Sequence, residues 1–253
     1  MAFLQVEFYS QVLGMETAAD VILPVGVKSR AYEDKIKHIP VLYLLHGFSE
    51  DHTCWMRRSS IERYVRSLNL AVIMPNVHRS FYIDMKAGGA YFTFLTKELP
   101  AVMKHMFPLS DKREDTFIAG LSMGGYGAFK AALSYPDRYA GAASLSGALD
   151  IYRVFEDKEH MTEARAVFGD AVDDCNDLYA LAGQCGEIPP LLQCCGTEDF
   201  LYEDNIRFRD FICQKAKDYT YEEGAGTHNW DFWDTYIQKV IPWMIQRNPT
   251  IQK

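Results

Sequence analysis

Residues 115–134 read DTFIAGLSMGGYGAFKAALS, and they change character at their middle. Up to Leu121 the run is apolar and suits a buried strand, while residues 124–134 are small and apolar, the composition of a buried helix. Between the two lies Gly120-Leu121-Ser122-Met123-Gly124. A GxSxG pattern recurs by chance, so its information is in its flanks. A serine at a sharp strand-to-helix turn is held in a strained backbone, and small residues two before and two after it avoid clashes. The helix that follows aims the free N–H groups of its first turn back at the serine. An ordinary glycine-rich turn would require neither flank.

The same strand–helix rhythm extends outward. Residues 4–10 and 16–24 read as two strands joined at Leu13-Gly14, an opening hairpin. Residues 25–39 are polar and read as a loop. The apolar runs 40–46 and 70–74 read as strands covered on both faces, with helical character at 59–68 between them. A helix is expected at 91–106, bent at Pro100. Further strands are expected at 115–121, 140–146, 189–195 and 218–222, with helices at 203–217 and 230–246. Strands alternating with helices from about residue 40 imply a mostly parallel sheet with helices on both faces.

Residues 151–187 break the rhythm. They hold nine acids against three bases, a net −6 within a whole-chain net charge of −8. The segment is too long for a simple connection and reads as an inserted cap of short helices on a single domain, or as a solvated excursion without function. Some of its bulky apolar residues, a set that includes Phe155 and Phe168, must fold back to be buried. Closed over the body opposite Phe48, such a cap would leave a small apolar pocket, which makes Phe48, Phe155 and Phe168 the candidate substrate-binding residues.

With 253 residues, 48% hydrophobic and 24% charged, the chain is long enough to bury a core without disulfides or metals. Its acidic balance argues against nucleic-acid and anionic-membrane partners. None of the six cysteines forms a CxxC pair, so zinc-site spacing is absent and no metal is expected. Cys194 and Cys195 read as buried free thiols. The N-terminus lacks the basic start and apolar stretch of a signal peptide, and no apolar run is long enough to span a bilayer. A cytoplasmic location is the expectation.

A serine hydroxyl is a poor nucleophile until a base removes its proton. On a strand–GxSxG–helix unit the partners follow in the order serine, acid, histidine. Asp199 lies just past the apolar run 189–195, and His228 closes the glycine loop Gly224-Ala225-Gly226-Thr227-His228. Glu198, beside Asp199, is the alternative acid. The carboxylate would accept a bond from one imidazole nitrogen and leave the other as the base. Two backbone donors are needed for an oxyanion: the N–H of Met123 and, from the turn Leu45-His46-Gly47-Phe48, the N–H of Phe48. His46 reads as a structural side chain bonded to that turn rather than a catalytic one. Trp230, Phe232 and Trp233 read as packing for the last helix, with a substrate platform as the alternative.

These segments resemble the esterase D family of α/β-hydrolases. The resemblance rests on Leu45-x-Gly47 with Trp55 eight residues beyond Gly47, Gly120-Leu121-Ser122-Met123-Gly124-Gly125-Tyr126-Gly127-Ala128, Tyr91-Phe92-Thr93-Phe94 with Glu98-Leu99-Pro100, Gly196-Thr197-Glu198-Asp199-Phe200-Leu201, and His228-x-Trp230-x-Phe232-Trp233. It runs over nearly the whole chain and is nearest to the bacterial tributyrin esterases, with S-formylglutathione hydrolases and mycolyltransferases more distant. It implies the α/β-hydrolase fold, a serine esterase of short-chain acyl esters, no cofactor, and a homo-oligomer. It also implies Ser122 as nucleophile, Asp199 and His228 as its partners, and Phe48 and Met123 as backbone donors. Where S-formylglutathione hydrolases read LSGLTC, this chain reads LHGFSE, which favours a general esterase over the thioester hydrolase. An acyltransferase, using the same acyl-enzyme, and an inactive binding relative complete the alternatives.

Overall fold

The computed structural model describes residues 1–25, 38–155 and 161–252, without the side chains of Val154 and Phe155. Most of the expected loop at 25–39 lies outside them. In chain order the elements are β1 (Ala2–Ser10), β2 (Met15–Leu23), β3 (Val41–Leu45), α1 (Cys54–Arg58), α2 (Ile61–Val65), β4 (Ala71–Pro75), α3 (Tyr91–Thr93), a π-helical turn (Phe94–Glu98) and α4 (Leu99–Met106). There follow β5 (Thr116–Leu121), α5 (Met123–Ser134), β6 (Gly141–Leu145), α6 (Met161–Phe168), α7 (Leu178–Gln184), β7 (Leu191–Gly196), α8 (Tyr202–Ile212), β8 (Tyr219–Gly224) and α9 (Trp230–Arg247).

The strands form one eight-stranded sheet in the order β1-β2-β4-β3-β5-β6-β7-β8. The hairpin β1–β2 and the pair β2–β4 are antiparallel. Every pairing from β4 to β8 is parallel. This is the mostly parallel α/β-hydrolase sheet. From β3 the chain steps outward to β4 and then returns to β5 on the other side of β3. The strand order therefore reverses between β3 and β5, and their C-terminal ends open a crevice. Leu45 pairs with Gly120 at that end, so the turn after β3 and the turn after β5 emerge side by side.

The five strands from β3 to β7 are buried along their lengths except at Thr116, the first residue of β5, as continuous apolar runs between two helical layers should be. α5 covers one face, with every residue from Met123 to Leu133 buried. α9 covers the other through Phe232, Trp233, Tyr236, Ile237, Val240, Trp243 and Met244. Burying each of the larger side chains stabilises the fold by roughly 1.5–3 kcal/mol.

Two expected helices differ from the sequence reading. The helix expected at 59–68 is shorter, α2 alone (Ile61–Val65); α1 (Cys54–Arg58) precedes it as a separate helix, and between the two the Ser60 N–H donates to Asp234 Oδ1 at 3.0 Å. The helix expected at 91–106 contains the π turn. Pro100 has no N–H to offer the Thr96 carbonyl, and that carbonyl instead accepts from Arg138 Nη1 at 3.0 Å.

Between β6 and β7 lie a 3-10 turn (Ile151–Phe155), α6, a second 3-10 turn (Asp174–Asn176) and α7; residues 156–160 lie outside the described structure. Ile151, Val167, Phe168, Leu178 and Ala182 join the core on the α5 side of the sheet. The last carbonyls of α6 are met by the body: Val167 O accepts from Lys86 N at 3.0 Å and Ala166 O from Ala87 N at 2.8 Å. Orphaned helix-end carbonyls are thereby satisfied. Lys86 Nζ also pairs with Asp173 at 2.8 Å.

Candidate active site

Ser122 sits between β5 and α5 with φ 53° and ψ −119°, a left-handed backbone that a residue with a Cβ adopts only under constraint. The constraint is visible in its neighbours. A Cβ on Gly120 would lie 2.4 Å from the Gly124 carbonyl oxygen, and one on Gly124 would lie 2.6 Å from the Leu45 oxygen. The Ser122 N–H is held by Leu145 O at 2.9 Å, and its carbonyl accepts from Gly125, Tyr126 and Ala148. The backbone is tied, and the side chain projects at the crevice between β3 and β5. Met123, the first residue of α5, presents an N–H from a turn whose amides have no intrahelical acceptor.

His228 arrives from the loop between β8 and α9. Its Nε2 is 2.9 Å from Ser122 Oγ, and its Nδ1 is 3.0 and 2.9 Å from the two Asp199 oxygens. Asp199 follows the end of β7, is buried, and also accepts from the Leu201 N–H at 2.8 Å. These partners assign the proton to Nδ1 and leave Nε2 as acceptor. The ring is bracketed by Phe200, centroids 4.5 Å apart, and by Trp233, perpendicular at 4.9 Å. Glu198 does not reach His228. It accepts from the Gly226 N–H and from Thr197, bonds that hold its carboxyl below the usual range, and so it ties down the loop that carries the histidine.

The turn after β3 is anchored by buried groups. His46 Nδ1 donates to Gly47 O at 2.7 Å, and its Nε2 accepts from the Val77 N–H at 3.1 Å. Burial lowers the imidazole to about 4, so it is neutral and not a proton carrier. Tyr82 Oη donates to His46 O at 2.9 Å, and Trp55 Nε1 donates to Leu45 O at 3.0 Å. A Cβ on Gly47 would lie 3.7 Å from Ser122 Cβ and 2.7 Å from Leu121 Cδ1. Glycine is needed there for the turn to lie alongside the serine, with Phe48 next in the chain.

Beside Phe48 opens a cleft of about 650 Å³, bounded by the turn, residues 78–91 and α6. Arg79 spans it. Its guanidinium lies 4.0 Å from the Phe48 ring centroid and makes two contacts with Glu163, at 2.7 and 3.1 Å. The cleft is thus larger and more polar than the small apolar pocket expected, because α6 turns Glu163, Ala166 and Val167 toward it and Phe168 away. Phe168 is buried against Phe81, centroids 5.5 Å apart, and Phe81 in turn packs on Phe48 at 5.3 Å. Among the described residues, Phe168 is linked to the site through Phe81. The side chain of Phe155, the third candidate, lies outside the described residues.

Cys194 and Cys195 are buried on β7, and burial raises both thiols well above their ordinary value. Among the described residues no group of three or more His, Cys, Asp or Glu could hold a metal ion, and no helix is long and apolar enough to cross a membrane. The sequence reading did not single out Phe81, Arg79 or Glu50. Nothing local marks them, since each matters through a partner distant in the chain.

Residues 10–244 match a family described as "Putative esterase". An acetyl esterase of Caldicellulosiruptor saccharolyticus is 34% identical over 261 residues, covering 96% of this chain and 98% of that one. Among solved structures, the substrate-bound fluorophosphonate-binding serine hydrolase FphF of Staphylococcus aureus is 37% identical, with a TM-score of 0.89 over 96% of this chain and 98% of its own. An S-formylglutathione hydrolase, FrmB, also from Staphylococcus aureus, matches at 37% identity and a TM-score of 0.87 with the same coverage.

Proposed function

The chain belongs to this esterase family and is a serine carboxylesterase, and from that premise we propose that it cleaves short-chain acyl esters with Ser122 as nucleophile, His228 as general base and Asp199 as the group that orients the base. The observation that carries the reading is the continuous run of hydrogen bonds from Ser122 Oγ through His228 to buried Asp199. The Ser122 proton passes to His228 Nε2 as Oγ attacks the ester carbonyl. The N–H groups of Phe48 and Met123 receive the oxyanion, whose stabilisation is the largest single contribution in acyl transfer. His228 returns the proton to the departing alkoxide. Water, activated by the same nitrogen, then releases the acid from the acyl-enzyme.

The preference for short acyl groups rests on two supports. The relative from Caldicellulosiruptor saccharolyticus is an acetyl esterase. A long chain leaving the oxyanion turn through the cleft would also lie against the Arg79–Glu163 pair and Glu50. Desolvating charged groups offsets the gain of roughly 0.8 kcal/mol per methylene.

Replacing Ser122 by Ala should lower kcat on p-nitrophenyl acetate on the order of 10⁴-fold or more with the fold intact. A fluorophosphonate should label Ser122 alone; a label on another serine, or surviving activity, refutes the reading. A second reading, thioester hydrolysis of S-formylglutathione, is favoured by the likeness to FrmB. The turn sequence LHGFSE and the acidic 151–187 segment weigh against it.

A further inference from the structure

We infer that Glu50 is a positioning residue of the catalytic machinery, a carboxylate brace that holds the oxyanion turn in register with the loop that carries the base; the inference rests on the roles proposed for Ser122, His228 and Phe48. Glu50 Oε2 accepts from the Gly47 N–H at 3.2 Å, and Oε1 accepts from Trp230 Nε1 at 2.7 Å, 180 positions away in the chain. One half-buried side chain thus touches the turn that supplies one backbone donor and the helix start two residues beyond His228.

Each end of the brace leads to a reacting group. Gly47 is flanked by two peptide planes, and having no side chain it does little to restrict either of them. The plane that contains Gly47 O and Phe48 N–H is held by two donors to that oxygen, His46 Nδ1 at 2.7 Å and the Glu50 main-chain N–H at 3.3 Å. In a trans peptide the N–H points opposite to the carbonyl, so these bonds fix the direction of the Phe48 donor. The preceding plane contains His46 O and Gly47 N–H. It is held by Tyr82 Oη on the carbonyl and by Glu50 on the N–H. Without Glu50 that plane keeps one anchor and can pivot, and the pivot passes through Gly47 to Phe48. At the other end, Trp230 lies edge-on to Trp55 at 5.0 Å and to Trp233 at 5.5 Å, and Trp233 stands perpendicular to the His228 ring at 4.9 Å. Trp55 also donates to Leu45 O, which closes a circuit from turn to base and back.

The chemistry of the brace requires a carboxylate. Both partners are N–H donors, and ionised Glu offers an acceptor to each. Glutamine has nearly the same volume but turns an NH₂ toward one of the two donors, so Glu50→Gln breaks one bond while filling the same space. Trp230→Phe removes the other donor and keeps an aromatic ring.

Wild type, Glu50→Gln, Trp230→Phe and the double variant are titrated with a chromogenic phosphonate, and kcat, KM and a boronic-acid Ki are expressed per titrated Ser122. Each single variant should lose kcat by about 10- to 100-fold per titrated site. KM should stay within about twofold, and the boronic-acid Ki should rise by a similar factor to the kcat loss, because a tetrahedral adduct needs the oxyanion donors. The double variant should be no worse than the poorer single one, as expected for residues acting as a unit. Unchanged kcat per titrated site in both variants would overturn the inference, as would losses that multiply in the double variant. A purely structural role would lower the number of titratable sites and the melting temperature but not kcat per site. Failure of Ser122 to titrate in the wild type would instead overturn the underlying catalytic reading.

Discussion

Lowering the pH from about 7 to about 4 is expected to cost this fold about 3 kcal/mol through His46 alone. The side chain is buried, its Nδ1 donates to Gly47 O, and its Nε2 accepts from the Val77 N–H. Protonation would put a second proton on Nε2, facing that N–H, on a side chain buried away from bulk solvent. Burial is the main cause of its depressed pKa. The Gly47 carbonyl and Asp51 pull the other way, and His52 and His78 add to the depression. At about 1.4 kcal/mol for each tenfold change in proton affinity, a fall from 6.5 to about 4 amounts to about 3 kcal/mol. The sign follows from proton counts: between those values the unfolded chain binds a proton at this position that the folded chain does not. The contribution is fully present above about 6.5, shrinks as the pH falls, and is gone below about 4. Urea unfolding at several pH values across this window, for wild type and His46→Gln, isolates it because the remaining titrating groups are common to both proteins. The stability difference between the two should narrow by about 3 kcal/mol from pH 7 to pH 4. Parallel pH profiles would refute the reasoning.

Other outcomes can be checked with the same protein. Asp199→Asn should lower kcat by a factor on the order of 10³–10⁴, whereas Glu198→Gln, whose carboxylate holds Gly226 rather than the histidine, should stay within about tenfold of wild type; steady-state kinetics showing the reverse order would exchange the two roles. Neutral esters should exceed S-formylglutathione in kcat/KM at low ionic strength, with the gap closing as salt screens the acidic 151–187 segment, and a thioester preference under those conditions would promote the second reading. Across p-nitrophenyl esters the rate should be highest from acetyl to butyryl and fall sharply by octanoyl. Phe168→Ala should cost about 3–5 kcal/mol of stability and, by loosening Phe81 beneath Phe48, shift the optimum toward longer chains; an unmoved profile in a folded variant would show that Phe168 does not set acyl length.

What the sequence by itself determined is local or ordered along the chain. The strand–turn–helix unit around Ser122 is legible because its causes lie within a few residues: an apolar run, glycines at 120 and 124 where a Cβ would collide, and small residues after them. Asp199 and His228 are legible because each ends a recognisable strand or glycine loop, and a parallel sheet delivers all such ends to one edge. His46 is legible as a structural histidine from its place in a tight turn. Tertiary structure decided the rest. The Glu50–Trp230 bond joins residues 180 apart, and Arg79 meets Glu163 across 84 positions; no pattern near either residue announces a partner that only the folded sheet brings close. The same holds for the π turn, since Pro100 predicts a bend but only the nearness of Arg138 gives the stranded Thr96 carbonyl a donor. The cleft is wider and more polar than expected because the rotation of α6 chooses which of its residues face Phe48, and that rotation is fixed by burying Phe168 and Val167 in a core assembled from distant segments. Periodicity encodes which residues share a face of a helix; only packing decides what that face meets.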